Sequence, residues 1–236
     1  MRILALDTAT ENCSAAVLTE GRLVSRERLL PRGHAAHILP MIEEVLGESG
    51  VALTALTAIA FGRGPGAFTG VRLAASITQG LAHAAGVPVV GISDLRALAQ
   101  RALGLAATAR RVLVVNDARM REVYWGCFER AADDLAAPAG EEHVGSPGSI
   151  RLPAEWARLG EELRVWVVGS GLAAFPELKL SLAAVLEGSR EDLLPSAAEI
   201  ARLAVPDILA GRLQPAEEAL PVYLRDEVAH PQRESH

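Results

Sequence analysis

The beginning of the chain alternates between short apolar runs and short polar turns. Apolar residues dominate positions 2–6, 14–18 and 23–30, and the tripeptide Glu-Gly-Arg at 20–22 separates the last two runs. Runs of this length, bounded by turn residues, are typical of β-strands. Because short turns join antiparallel neighbours, the N-terminus is predicted to form an antiparallel meander of three strands.

Helical and extended patterns alternate along the rest of the chain, as they do in α/β proteins. The patterns predict helices at 34–47, 71–85, 95–103 and 196–213, and strands at 56–61, 89–92, 112–115, 122–128 and 164–168. Ser196 and Glu199 form a capping-box pattern at the start of the last helix. Residues 136–148 are rich in Ala, Gly and Pro and are predicted to form a long exposed loop, and the polar tail 228–236 is expected to fray.

The two halves of the chain open with the same pattern of an apolar strand, an acid-containing turn and a second apolar strand. Asp7 follows the first strand of one half, and Asp117 follows the strand at 112–115 in the other. This similarity indicates a duplicated lobe, although the sequence itself does not repeat. We therefore predict an N-terminal lobe at 1–105 and a C-terminal lobe at 106–236, with the last helix packing back on the first lobe.

The charge balance limits the kinds of partner that the chain can have. Its 236 residues include 23 Lys and Arg against 29 Asp and Glu, a net charge of -6. This balance argues against a protein whose main task is to grip nucleic acid, because phosphate contacts need clustered cations. The charge balance does not exclude a subunit that assists another protein in binding nucleic acid. No apolar run reaches the ~18 residues of a membrane span, and no signal-peptide pattern is recognised, so we expect a soluble cytoplasmic protein.

The most informative segment is the glycine-rich sequence FGRGPGAFTGVR, which begins at Phe61 between a predicted strand and a predicted helix. Glycines such as Gly64 and Gly66 allow positive φ and close backbone approach, so the loop could hold a phosphate at the helix N-terminus. Tight strand-to-helix packing explains the same glycines equally well, and no Walker Lys-Ser/Thr follows them. Asp7 or Asp117 could similarly hold a magnesium-phosphate, but an acid after a strand more often caps a turn.

Two further features concern metals and partners. His34 and His37 lie three residues apart at a helix start, but no acidic residue accompanies them as a third metal ligand. The helix at 71–85 is apolar or small nearly all round, which is typical of a helix covered on both sides. Because the chain has few helices left to cover it, we expect a partner protein to do so.

Several segments together carry a family resemblance, in order and across nearly the whole chain. They are ILALDTATENCSAAV from Ile3, RGHAAHILPMIEEVL from Arg32, AFGRGPGAFTGVRLA from Ala60, NDARMREVYW from Asn116 and PVYLRDEVA from Pro221. The chain resembles the TsaB (YeaZ) family, a bacterial subunit of tRNA threonylcarbamoyladenosine biosynthesis. The glycine loop alone would also admit related families, whereas its combination with DARMREVYW is specific.

The resemblance implies a fold and an activity. The fold is α/β and actin-like, Hsp70-like and sugar-kinase-like, with two lobes that each hold a mixed five-stranded sheet and flanking helices. The activity belongs to a complex, in which the catalytic paralogue TsaD and the small ATPase TsaE transfer threonylcarbamoyl from its adenylate to N6 of the adenosine beside the anticodon. The resemblance implies that TsaB is a non-catalytic subunit of this complex. The tRNAs that the complex modifies read codons beginning with A.

The resemblance also implies how the chain meets its partners. The chain is expected to pair with TsaD, or with itself when alone, through the helices at 34–46 and 71–85. It is expected to contact tRNA only indirectly and to bind no membrane. The residues expected at this surface are His34, Ile38, Met41, Ile42, Val45, Val71, Ala74, Ile77, Thr78 and Leu81. No cofactor or metal is expected, beyond weak ADP or ATP binding in a vestigial cleft formed by Asp7, Gly64, Gly66 and Asp117.

Two departures from the catalytic paralogue support the non-catalytic interpretation. The paralogue carries an HxxxH metal pair, whereas this chain has His34-Ala-Ala-His37, which is one residue shorter. Of the paralogue's adenosine-binding glycine stretch, only Gly169-Ser170-Gly171 is left. Two enzyme alternatives remain: a small phosphotransferase of the same fold that uses Asp7 or Asp117 with magnesium, and a metallopeptidase, against which the absent HExxH motif argues.

Overall fold

A computed structural model describes residues 1–225 of the chain, and the expected fraying of the tail at 228–236 lies outside these residues. The first sheet contains β1 (Arg2–Asp7), β2 (Asn12–Thr19), β3 (Arg22–Leu29), β4 (Ala58–Gly62) and β5 (Val89–Ile92). Its strand order is β3-β2-β1-β4-β5, with β1, β2 and β3 antiparallel and β1, β4 and β5 parallel. The predicted N-terminal meander is therefore confirmed.

The second sheet repeats this topology. It contains β6 (Arg111–Arg119), β7 (Glu122–Arg130), β8 (Ala136–Pro138), β9 (His143–Gly145), β10 (Val165–Val168) and β11 (Leu186–Arg190). The order β11-β10-β6-β7-β8 again places an antiparallel pair on one side of the first strand and two parallel strands on the other. The two lobes thus share the duplicated α/β fold that the resemblance implied.

The second sheet has six strands rather than the expected five, and the predicted exposed loop at 136–148 is the reason. Strands β8 and β9 both lie within it, and both pair with β7, one beside its C-terminal half and one beside its N-terminal half. Ala136 is fully buried at the start of β8. The loop prediction is wrong because backbone pairing with β7 overrides a composition that is poor in strand-forming residues.

The helices divide into an outer and an inner set. The outer set comprises α1 (His34–Ser49) and α2 (Phe68–Ala85) beside the first sheet, and the short α4 (Ala154–Ala157), α5 (Gly171–Ala174) and α6 (Glu177–Ser181) beside the second. The inner set comprises α3 (Asp94–Leu105) and α7 (Ala197–Leu209). Within residues 1–225, no helix is both long enough and apolar enough to cross a membrane.

The inner helices are exchanged between the lobes. Helix α3 follows the last strand of the first sheet but packs on β6, β7 and β8, whereas α7 follows the second sheet and packs on β1, β2 and β4. The two helices also contact each other, and one continuous apolar cluster contains residues from both sheets. The division at 1–105 and 106–236 stays a prediction, because the two parts of the chain share this core.

The start of α7 is fixed by both lobes. As predicted, Ser196 caps the helix, with its Oγ accepting from the backbone N–H of Ala198 at 3.2 Å. The hydroxyl of Ser14, on β2 of the first sheet, accepts from the N–H of Ala197 at 2.9 Å. Two of the N–H groups that a helix start leaves without intrahelical partners are thereby satisfied. The helix ends at Leu209, four residues before the predicted end.

Candidate functional site

A cleft with a volume of about 720 Å³ separates the two lobes. Its walls come from five segments, at 8–11, 31–35, 65–71, 116–119 and 222–225, with Leu73 and Tyr124 in addition. These include the turn after β1, the start of α1, the glycine loop, the end of β6 and the last described residues of the chain. Of the four predicted nucleotide-binding residues, Gly66 and Asp117 line the cleft, whereas Asp7 and Gly64 do not.

Asp7 is fully buried beneath the cleft floor, beside a second buried carboxyl group, that of Asp94 at the start of α3. Its Oδ1 accepts from the backbone N–H of Ala9 at 2.8 Å. Burial raises the pKa of Asp7 to about 6, and burial together with the neighbouring Asp7 raises the pKa of Asp94 well above its ordinary value. We infer that the two groups share a proton, as close pairs of buried carboxyls do.

Gly62 makes room for this carboxyl pair. A Cβ at Gly62 would lie 2.5 Å from Oδ1 of Asp94 and 2.7 Å from Oδ1 of Asp7. Asp94 also accepts from the N–H of Gly64, whose φ of +99° suits glycine, and its own N–H donates to the Gly64 carbonyl oxygen at 3.0 Å. The pair therefore anchors the glycine loop from below and presents no carboxylate to the cleft.

The glycine loop packs backbone to backbone against the turn after β1. The N–H of Ala67 donates to the Ala9 carbonyl oxygen at 2.7 Å, and the Thr8 hydroxyl donates to the Gly70 carbonyl oxygen at 2.7 Å. A Cβ at Gly66 would lie 2.6 Å from the Ala9 carbonyl oxygen. Gly66 is thus required because the loop and the turn after β1 approach each other closely. A left-handed conformation is not the reason, since the φ of Gly66 is not positive. Of the two functions predicted for the loop, tight packing is the one that these contacts support.

In the second lobe, hydrogen bonds likewise fix a glycine turn against the end of a strand, here around Asp117. Its carboxylate accepts from the backbone N–H and from Nη1 of Arg119, at 2.8 and 3.0 Å. Its own N–H donates to Oγ of Ser170 at 3.1 Å, within the Gly169-Ser170-Gly171 turn. Gly169 has φ +109°, and a Cβ there would collide with the Asn116 side chain. The remaining glycine turn therefore packs on the end of β6.

The two histidines of α1 are engaged separately. His34 donates from Nε2 to the Thr10 carbonyl oxygen at 2.8 Å, and His37 Nδ1 lies 3.0 Å from the Arg28 guanidinium. Across the described residues, no group of three His, Cys, Asp or Glu side chains is placed to hold a metal ion.

The predicted partner surface needs correction. Seven of its residues are buried in the core of the first lobe, against the sheet: Ile38, Met41, Ile42, Val45, Val71, Ala74 and Thr78. Buried side chains of this kind cannot reach a partner, so the prediction is wrong for these seven. His34, Ile77 and Leu81 are half-buried, and for them the prediction still stands.

The outer stripe of the same two helices is exposed and largely apolar. On α1 it contains Leu39, which is 45% exposed, with Ala35, Ala36 and Pro40 beside it. On α2 it contains Ser76, Gly80 and Ala84. A Cβ at Gly80 would meet nothing within 4 Å. We call this set of seven residues the outer α1/α2 face.

Sequence reasoning missed several residues of the site. Asp94 carried a readable signal, because Ser93-Asp94 after a strand is a typical helix start, and Ser93 does cap α3. Arg32, Tyr223 and Arg225 line the cleft but carry no pattern that singles them out. Their position depends on how the two lobes and the C-terminal segment come together.

Comparison with known proteins identifies relatives across almost the whole chain. The family model described as TsaD, tRNA N6-adenosine threonylcarbamoyltransferase, matches residues 28–232. The tRNA threonylcarbamoyladenosine biosynthesis protein TsaB of Escherichia coli K12 is 41% identical over 230 residues, covering 97% of this chain and 96% of the relative. TsaB of Haemophilus influenzae is 39% identical, with coverages of 97% and 95%.

Solved structures agree with these relatives. YeaZ from Pseudomonas aeruginosa matches with a TM-score of 0.81 and 42% identity, covering 94% of this chain and 99% of that chain. A second Pseudomonas aeruginosa structure, described as similar to peptidase YEAZ, matches with a TM-score of 0.84 and 43% identity over 95% of this chain and 99% of its own. Sequence identity and fold coincide over both lobes, and the chain belongs to the TsaB family.

Proposed function

We propose that this chain is a non-catalytic cytoplasmic subunit of the machinery that forms threonylcarbamoyladenosine in tRNA. It supports a TsaD-type paralogue that, with a TsaE-type ATPase, transfers threonylcarbamoyl from threonylcarbamoyl-AMP to N6 of the adenosine next to the anticodon. The tRNAs concerned read codons that begin with A. The names of two relatives that are 41% and 39% identical over nearly their full length support this pathway.

The position of Asp7 supports the proposal that the chain is not itself the enzyme. A phosphotransferase of this fold would need a carboxylate that contacts magnesium or substrate in the cleft. Here Asp7 is buried with Asp94, and Asp117 is ion-paired with Arg119. The turn after β1 also occupies the space beside Gly66 and Gly70. These residues fit a magnesium-nucleotide poorly, so we propose at most weak ADP or ATP binding and no turnover by the chain alone.

The outer α1/α2 face supports docking as the mode of action. Its apolar residues extend over two neighbouring helices, and small residues such as Gly80 and Ala84 let another helix approach closely. A helix pair on the partner would complete a four-helix contact with an apolar centre. The same face would join two copies of this chain when the paralogue is absent.

Gly80 offers a clean test of the docking face. Gly80→Arg places a charged side chain in open space, and replacing a helix-interior glycine raises helix propensity by up to about 1 kcal/mol, so the variant should fold. Gly104→Arg is the matched control, because Gly104 is also an exposed glycine in a helix, α3, with nothing within 4 Å of a Cβ. The measurement is co-purification with the TsaD-type paralogue, beside sedimentation of the chain alone.

We expect the wild type and Gly104→Arg to bind the paralogue and to self-associate, and Gly80→Arg to do neither. Desolvating an unpaired guanidinium at the centre of an apolar interface is strongly unfavourable. If Gly80→Arg bound the paralogue as tightly as Gly104→Arg does, docking through this face would be refuted.

A further inference from the structure

The exposed aromatic side chains of this protein are concentrated at one place. Of its nine Phe, Trp and Tyr residues, only Phe68 and Tyr223 are exposed, at 60% and 47% of their surface. Phe68 begins α2, Tyr223 belongs to the C-terminal segment, and both line the interlobe cleft. Two exposed rings at one rim, in a chain with so few aromatic residues, indicate a surface for binding.

The guanidinium of Arg72 contacts both the Phe68 and the Tyr223 ring. Cζ of Arg72 lies 3.2 Å from the centroid of the Phe68 ring and 4.8 Å from that of Tyr223. Its Nη1 donates to the Phe68 carbonyl oxygen at 3.0 Å, which fixes the guanidinium on the helix. Cation–π contacts of this kind orient the rings while leaving much of their surface exposed.

The same rim carries cations in a chain whose net charge is -6. Arg32, Arg119 and Arg225 line the cleft. Arg119 and Arg225 are paired with Asp117 and Glu122, and Glu11 is the other acid of the lining. Among the described residues, neither Arg32 nor Arg72 forms an ion pair. The Arg32 guanidinium is therefore available to a phosphate of a ligand in the cleft.

We propose that this rim, formed by Phe68, Arg72 and Tyr223, together with Arg32 of the same cleft, contacts an unpaired segment of the tRNA directly. The proposal rests on the proposed function, and it replaces the indirect role for tRNA that the resemblance implies. Bases stack on exposed aromatic rings regardless of sequence, and arginines hold the backbone between them. Stacking surfaces combined with cations are the two features by which proteins bind single-stranded RNA.

Tyr223 is the residue that tests the proposal, because it lies on the C-terminal segment and not on the outer α1/α2 face. Tyr223→Leu keeps an apolar side chain but removes the π face, and Tyr223→Trp keeps the π face. Complexes of each variant with the TsaD-type paralogue are first checked for assembly. Their affinity for a full-length tRNA transcript is then measured by fluorescence anisotropy at several salt concentrations.

We expect Tyr223→Leu to weaken tRNA binding by about fivefold or more, and Tyr223→Trp to bind like the wild type. Arg32→Ala should reduce the salt dependence of binding by about one phosphate contact. Equal affinities for Tyr223→Leu and Tyr223→Trp would overturn the proposal, as would loss of the paralogue from the Tyr223→Leu complex. Neither result would affect the docking test at Gly80, so the two proposals can fail separately.

Discussion

The buried pair of Asp7 and Asp94 explains why an acid at the end of a strand does not make this chain an enzyme. In the first lobe Asp7, the last residue of β1, is buried in the protein, where it anchors the glycine loop through Asp94 and Gly64. A carboxyl group that shares a proton in the core is a structural element. Its signature is a dependence of stability on pH.

The free energy of unfolding should fall as the pH rises through this pair. Burial raises the pKa of Asp7 from 3.8 to about 6, so its contribution is full below pH 3.8 and is lost as the pH rises through about 6. In Asp94→Asn the amide can donate to Asp7, and no shared proton is needed. Because burial and the neighbouring Asp7 also raise the pKa of Asp94, the variant removes a group that resists losing its proton, and we expect Asp94→Asn to gain stability relative to the wild type as the pH rises from 5 to 8.

Thermal or urea unfolding of both proteins between pH 5 and pH 8 measures this difference. The stabilisation should shrink toward pH 5, where the wild-type pair keeps its proton. A variant that is destabilised equally at every pH would show that the two carboxyls do not share a proton.

The helices and strands could be predicted from the sequence wherever hydrophobic periodicity and turn-forming residues indicated the same boundaries. The meander, the ends of β5 and the cap at Ser196 were all predictable because they depend on neighbours in the chain. The two strands at 136–138 and 143–145 were not, since they depend on pairing with β7. Helix α2 is apolar or small nearly all round, so its sequence does not show which face meets the sheet, and its predicted surface residues Val71, Ala74 and Thr78 proved to be buried.

The hydroxyl of Ser14 should contribute to stability through an element of the other half of the chain. It accepts from the N–H of Ala197 at the start of α7, and the contact is fully buried. In Ser14→Ala this N–H loses its partner without gaining water, so we expect a loss of about 1–3 kcal/mol in urea unfolding. Ser76→Ala, an exposed serine in α2, is the control and should change little. Equal effects of the two substitutions would contradict the role given to Ser14.

At the level of the whole protein, the exchange of α3 and α7 makes the two lobes one folding unit. Each lobe lacks the inner helix that covers its sheet until the other lobe supplies it. The sequence indicated duplication through its two similar openings, but the exchange follows from tertiary contacts that no local pattern records.

This exchange predicts a single cooperative unfolding transition. All three tryptophans, Trp125, Trp156 and Trp166, belong to the second lobe, so their fluorescence reports on that lobe alone. Far-ultraviolet circular dichroism reports on both. The two signals should give the same urea midpoint, because coincident transitions are expected of one cooperative unit. Separate midpoints would mean that the lobes unfold independently.

We propose that this chain supports tRNA modification by docking and contributes no chemical group to the reaction. Threonylcarbamoyl transfer to tRNA, reconstituted with a TsaD-type paralogue and a TsaE-type ATPase, tests it with three forms of this chain. The wild type and Asp7→Asn should support similar rates, since the amide can replace the shared proton in the buried pair. Gly80→Arg should lower the rate at least about tenfold, because an unpaired buried charge costs several kcal/mol at an interface. A rate that collapsed with Asp7→Asn and survived Gly80→Arg would show instead that the chain acts through Asp7 and not by docking through the outer α1/α2 face.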